Sequence, residues 1–119
     1  MKNKNIFQSF KCAFEGLIYV FNNHKHFKIE LSIGILVIIF FLYNSISLIE
    51  WLFIILSIFL VIFSEILNTS IEETSNIIKQ EFDLKIKIVK DLSGALVLIS
   101  IIFSLIVFIL IFIKKFIFI

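Results

Sequence analysis

Ser64-Glu65-Ile66-Leu67-Asn68-Thr69-Ser70-Ile71-Glu72-Glu73-Thr74-Ser75-Asn76 closes a hydrophobic run that starts near Trp51, and no other dense polar cluster is contiguous with such a run. Trp51 to Ser64 is 14 residues, roughly 21 Å of helix, whereas a bilayer core needs about 30 Å. A helix that spans from Trp51 must therefore carry Glu65, Asn68 and Thr69 within the hydrocarbon. An ionised carboxylate there costs roughly 2.5–3.5 kcal/mol, so such groups imply a partner or a function.

Helical spacing sharpens the reading. Glu65, Asn68, Glu72, Asn76 and Lys79 follow offsets of three, four, four and three, which puts them on one narrow stripe. Two carboxylates, two amides and an ammonium on one face suit divalent-metal coordination together with general-base work on a hydroxyl. The bland alternative is a helix that leaves the membrane near Asn68 with its charges solvated.

With 119 residues, 61% hydrophobic, no Pro and three Gly, the chain is too apolar for a soluble domain of this size. It reads as one all-α integral membrane domain, 1–119. A net charge of +2 gives no ground for a nucleic-acid partner. Cys12 is the single cysteine, which excludes an intramolecular disulfide, and taken alone it is a small apolar filler.

Outward from the stretch, residues 1–23 set Ile6, Phe10, Ala13, Phe14, Leu17 and Phe21 against Lys2, Lys4, Gln8, Lys11, Glu15 and Asn22. That period is amphipathic and suits a surface helix lying among the headgroups. A polar break at Asn22-Asn23-His24-Lys25-His26 precedes a first span, 27–48, with Glu30 one turn inside it. The turn Tyr43–Ser47 leads to a second span with a cytoplasmic extension, 51–78, which Trp51 anchors at the interface. A charged cytoplasmic loop, 79–91, then leads to a third span, 92–113, whose Ser93-Gly94-Ala95 allows close helix approach.

Lysine placement sets the expected orientation. Lys2, Lys4, Lys11, Lys25, Lys28, Lys79, Lys85, Lys87 and Lys90 flank one end, against Lys114 and Lys115 at the other. The N-terminus and the stripe are therefore expected in the cytoplasm, where ATP is found. Gly16, Gly34 and Gly94 are isolated and no GxxxxGK run exists, so no phosphate loop of the usual kind is present. His24 and His26 are two residues apart, which does not place them on one helix face for zinc.

On these residues the chain resembles the prokaryotic diacylglycerol kinase and undecaprenol kinase family of small three-span lipid kinases, over residues 7 to about 108. Phe10-Lys11-Cys12-Ala13-Phe14-Glu15-Gly16-Leu17 is similar to its surface helix, Glu65 to Glu72 to its ExxNTxIE signature, and Lys90-Asp91 to its KD pair. The resemblance implies a homotrimer in the bacterial cytoplasmic (inner) membrane that moves the γ-phosphoryl group of MgATP to a lipid hydroxyl, of diacylglycerol or of undecaprenol.

Carried over residue by residue, Glu65 corresponds to the general base, Glu72 to a metal ligand and Asn68 to a group beside the transferring phosphate. Lys90 and Asp91 match the pair that contacts nucleotide phosphates, and Glu81-Phe82-Asp83 sits where the family has a nucleotide-contacting turn. Phe27, Lys28, Glu30, Trp51 and Gly94 are assigned to the acceptor lipid. Three positions depart from the pattern: His24 stands for a metal-ligand Glu, Asn76 for an acidic residue and Cys12 for a Tyr, the last two still on the nucleotide side. With the family's geometry, His24 is expected to project toward Glu72. A second reading keeps the fold as a catalytically degenerate membrane scaffold.

Overall fold

Apolar helix formers fill most of the chain, so helices end only where polar side chains can take over backbone hydrogen bonds. The computed structural model describes residues 5–78, 81 and 83–118. They form four helices in the order α1 (Ile6–Asn23), α2 (Lys25–Tyr43), α3 (Leu48–Ile78) and α4 (Leu84–Phe116).

Each boundary has a local cause. Asn5 caps α1: its Oδ1 accepts from Gln8 N at 2.8 Å, and Gln8 Oε1 accepts from Asn5 N at 3.3 Å, a reciprocal capping box. His24 is extended and breaks α1 from α2, its N–H still donating to Val20 O. α2 stops at Tyr43, before the expected residue 48, and Asn44 Nδ2 donates to Phe40 O at 2.9 Å. Ser47 and Glu50 form a second capping box, with Glu50 Oε1 accepting from Ser47 N at 2.9 Å and Ser47 Oγ from Glu50 N at 3.2 Å. That starts α3 at Leu48, ahead of Trp51.

The expected charged loop 79–91 is helical from Leu84 on, so α4 begins well before residue 92. Asp83 explains it, since its Oδ1 accepts from Lys85 N at 2.9 Å and Ile86 N at 3.3 Å, which satisfies donors otherwise orphaned in a first turn. The i,i+4 pair Lys87–Asp91, at 2.7 Å, lies in the same stretch and adds a little.

α2, α3 and α4 are each long and apolar enough to cross a membrane; the shorter α1 is amphipathic and leaves Phe7, Phe10, Phe14 and Ile18 exposed. The 19 residues of α2 measure about 28 Å, close to a bilayer core, whereas the 31 of α3 and 33 of α4 reach about 46 and 50 Å. α3 and α4 therefore overhang α2. The polar stripe lies on the overhang of α3, beside α1.

Contact is most extensive between α3 and α4, while α2 lies on α3 and α1 meets α2. Small groups let the spans approach: Ser104 Oγ on α4 donates to Ser57 O on α3 at 3.3 Å, and a Cβ at Gly34 would sit 3.4 Å from Ile58. The end away from the stripe is closed by Phe41, Ile54, Val107 and Ile111, with Trp51, Phe40 and Phe108 packed around them. Phe40 meets Phe108, Phe112 and Phe116 at 6.3, 6.3 and 5.9 Å between centroids, which ties α2 to α4 through aromatic edges and faces. Across that end Lys114 Nζ donates to Glu50 Oε2 at 3.1 Å.

Phe41 is 1% exposed and Phe59 66% exposed, though both sit in spanning helices. Phe41→Ala is expected to cost about 3–5 kcal/mol and Phe59→Ala to stay within about 0.5 kcal/mol, measured by denaturant unfolding in detergent micelles. Equal losses would mean that the aromatic end does not hold the bundle together.

Candidate active site at the polar end of the bundle

Burial picks out part of the stripe. Glu65 is 7% exposed, and Ser64 and Thr69 beside it are also buried. Ser64 answers its own backbone, donating to Val61 O at 2.9 Å. The Glu65 carboxyl neighbours that of Glu30, which α2 brings across. Glu30 Oε1 is itself shut off from solvent and lacks a hydrogen-bond partner among the described residues. An acid group from each of two helices thus sits at the junction of hydrocarbon and overhang.

The rest of the stripe is tied to α4. Ser93, 2% exposed, donates a bifurcated bond to Asn68 Oδ1 at 2.7 Å and to Lys90 O at 2.9 Å. About two turns further out along α3, Lys90 Nζ donates to Asn76 Oδ1 at 2.7 Å. The two amides of the stripe therefore set the register of α3 against α4. An ammonium has three donors, and Asn76 takes one of those on Lys90. Glu72 is partly exposed between these two ties.

The remaining expected site residues divide into those near the stripe and those away from it. Asp91 is exposed and paired with Lys87, Glu81 is exposed, Asp83 caps α4, and Lys79 and Phe82 lie outside the described residues. Cys12 is a half-buried free thiol on α1. Phe27 is buried and Lys28 lies over the Phe21 ring at 5.3 Å. Trp51 belongs to the opposite end, a helix length of roughly 21 Å from Ser64. A Cβ at Gly94 would meet open space, whereas Ser93 of the same small trio bonds across to α3. His24 faces Glu73 rather than Glu72, with Nε2 at 3.6 Å from Glu73 Oε2.

Three participants escaped the sequence reading. Ser93 stands three residues after Lys90 and was legible as a small residue only, while Glu73 and Tyr19 carry no spacing signal because they meet across α1 and α3. Tyr19 Oη donates to Glu73 Oε2 at 2.8 Å, and that bond, reinforced by the carboxylate charge, holds the phenol above its ordinary pKa. Tyr19, Glu73 and Thr69 also line a cleft of about 640 Å³ between α1 and α3.

Fold and site together define a helical membrane protein with three candidate spans and an ionisable cluster where two of them outrun the third. The prokaryotic diacylglycerol kinase family matches residues 11–112, most of the chain. The protein belongs to that family, which is a family of kinases. No curated protein matches it.

The Asn68–Ser93 bond is expected to be worth about 0.5–1.5 kcal/mol as a coupling energy. A double-mutant cycle of Asn68→Ala and Ser93→Ala, read by unfolding in micelles, measures it. Strict additivity would remove the bond from the forces that set α3 against α4.

Proposed function

We propose that the chain is a lipid kinase that transfers the γ-phosphoryl group of ATP to the primary hydroxyl of diacylglycerol or undecaprenol at the cytoplasmic face of a bacterial inner membrane. The observation that carries this reading is Glu65, a carboxylate shielded at 7% exposure on the face that also holds Asn68. A base at that depth meets a lipid hydroxyl without drawing the acyl chains out of the bilayer. The nine lysines flanking the polar end support a cytoplasmic orientation. The homotrimer, and the division into a surface helix and three spans, belong to the same proposal.

Phosphoryl transfer asks mainly for positioning and charge stabilisation. Glu65 accepts the hydroxyl proton as the oxygen attacks phosphorus. Asn68, held by Ser93, orients the transferring group. Lys90 keeps donors for phosphate oxygens beyond its bond to Asn76, and Asp91, Glu81 and Asp83 are assigned to the nucleotide side, together with Cys12 from α1. Phe27, Lys28 and Glu30 of α2 face the acceptor.

The donor set fits a magnesium nucleotide. Among the described residues no three His, Cys, Asp or Glu stand together as a closed metal cage, and Mg²⁺ on a nucleotide needs only one or two carboxylates beside phosphates and water. Glu72 would hold it, and when bound it neutralises charge on the transferred group.

Glu65→Gln is expected to lower turnover by at least about a hundredfold with little change in apparent ATP affinity, and Glu72→Gln to abolish activity in a folded protein. Both are read with purified protein in mixed micelles, with diacylglycerol and undecaprenol offered side by side. No ATP-dependent phosphorylation of either lipid by the wild type would leave the scaffold reading in its place. A Glu65→Gln defect confined to ATP affinity would move Glu65 from chemistry to binding.

A further inference from the structure

α2 and α4 touch through their rings at the end away from the stripe, where Phe40 meets Phe108 and Phe116. Between those rings and Glu30 the two helices leave a groove of about 410 Å³, with α3 as its third wall. The groove follows α3 from Ile54 to Ile62, roughly 12 Å of helix, and lies within the candidate spans. Gly34 keeps it open beside α2, since an added Cβ there would already meet Ile58 at 3.4 Å.

Below Glu30 the polar side chains of the lining are Ser57 and Ser104, and both are spent. Ser57 Oγ donates to Ile54 O at 2.8 Å, and Ser104 Oγ donates to Ser100 O at 3.0 Å and to Ser57 O at 3.3 Å. Each hydroxyl has a single hydrogen, so neither offers a free donor to a guest. Glu30 stands at the head of the groove and neighbours Glu65. Its Oε1 lacks a hydrogen-bond partner among the described residues. The groove therefore suits a molecule with one hydroxyl to give at its head and hydrocarbon alone below.

We infer that this groove selects the acceptor: the chain takes a polyprenol, whose tail carries no carbonyl, in preference to a diacylglycerol. The inference rests on the kinase reading and narrows it. A diacylglycerol cannot bring its hydroxyl to Glu30 without bringing an ester carbonyl into the groove, where that acceptor loses water and finds no donor. A buried acceptor left unmatched is costly, and selectivity is strongest where one substrate leaves polar groups unpaired. In the transfer the polyprenol oxygen bonds to the γ-phosphorus of ATP and the bond from that phosphorus to the β,γ-bridging oxygen breaks. ADP leaves, and Glu65 takes the hydroxyl proton.

The test offers purified full-length protein three acceptors at equal mole fraction in mixed micelles: undecaprenol, a diacylglycerol, and the dialkyl ether of glycerol with the same chains. The ether keeps both chains and the hydroxyl and removes only the carbonyls. Wild-type kcat/KM is expected to be about tenfold or more higher for undecaprenol than for the diacylglycerol, with the ether severalfold above the diacylglycerol. Without ATP, native mass spectrometry should show undecaprenol retained by wild type and lost in Gly34→Leu, which fills the groove. Leu36→Phe, which adds bulk on the exposed face of α2, should retain it.

Equal or better use of the diacylglycerol, or an ether no better than the ester, would overturn the inference while leaving the kinase reading intact. Undecaprenol retained in folded Gly34→Leu would overturn it as well, and so would a Gly34→Leu change in the mass of the assembly, which would mark the groove as the seat of a second copy's helix. Should Gly34→Leu not fold, the comparison of acceptors in wild type decides. Undecaprenol held in the groove by a protein that phosphorylates none of the three would defeat the kinase reading and leave the groove as a prenol-binding site.

Discussion

A carboxylate at the edge of hydrocarbon has to be given company, and Glu65 sets that requirement for the whole bundle. Its burial would be expensive on an isolated helix. Glu30 arrives from α2 to meet it, while the neighbouring Ser64 hydroxyl is satisfied by its own backbone. A third helix, α4, lies along the same face one turn further out. The polar end is thus organised by acid groups that no single helix could keep.

The two ends of the bundle are held by different physics. At the far end Phe40, Phe41, Phe108, Phe112 and Phe116 join α2 to α4 through ring contacts. Such contacts suit an environment in which lipid tails compete equally for apolar surface, so that close packing rather than water exclusion decides association. At the near end Ser93–Asn68 and Lys90–Asn76 align α3 with α4 through directed hydrogen bonds. A register set by polar pairs in a partly dry place resists sliding, because any shift by one residue leaves donors and acceptors unmatched. That rigidity is what a site working mainly by positioning requires.

α1 adds a third element at the near end. It is joined to α2 by one extended residue, His24, and reaches α3 through Tyr19 and Glu73. Its exposed Phe7, Phe10 and Phe14 give it an apolar face suited to the headgroup boundary. The proposed acceptor and nucleotide sides would therefore lie near a helix that has an apolar exposed face and is tied to α3.

Much of this was legible in the residues themselves. Apolar run lengths determined three candidate spans, since about twenty apolar residues are needed to cross a bilayer core, and the offsets from Glu65 to Asn76 placed the stripe on one helix face. The family followed from the ExxNTxIE run, because that order of carboxylate, amide and hydroxyl is too specific to arise from apolar filler. Helix ends were less legible: Asp83 extends α4 down to Leu84 through side-chain capping that composition alone reads as a charged loop. Contacts between helices were not legible at all. That Glu30 meets Glu65, that Ser93 bonds Asn68, that Trp51 lies at the opposite end and that His24 faces Glu73 instead of Glu72 depend on the rotation of one helix about another. Periodicity says which residues share a face but not which face meets which, so only the packed tertiary structure could decide them.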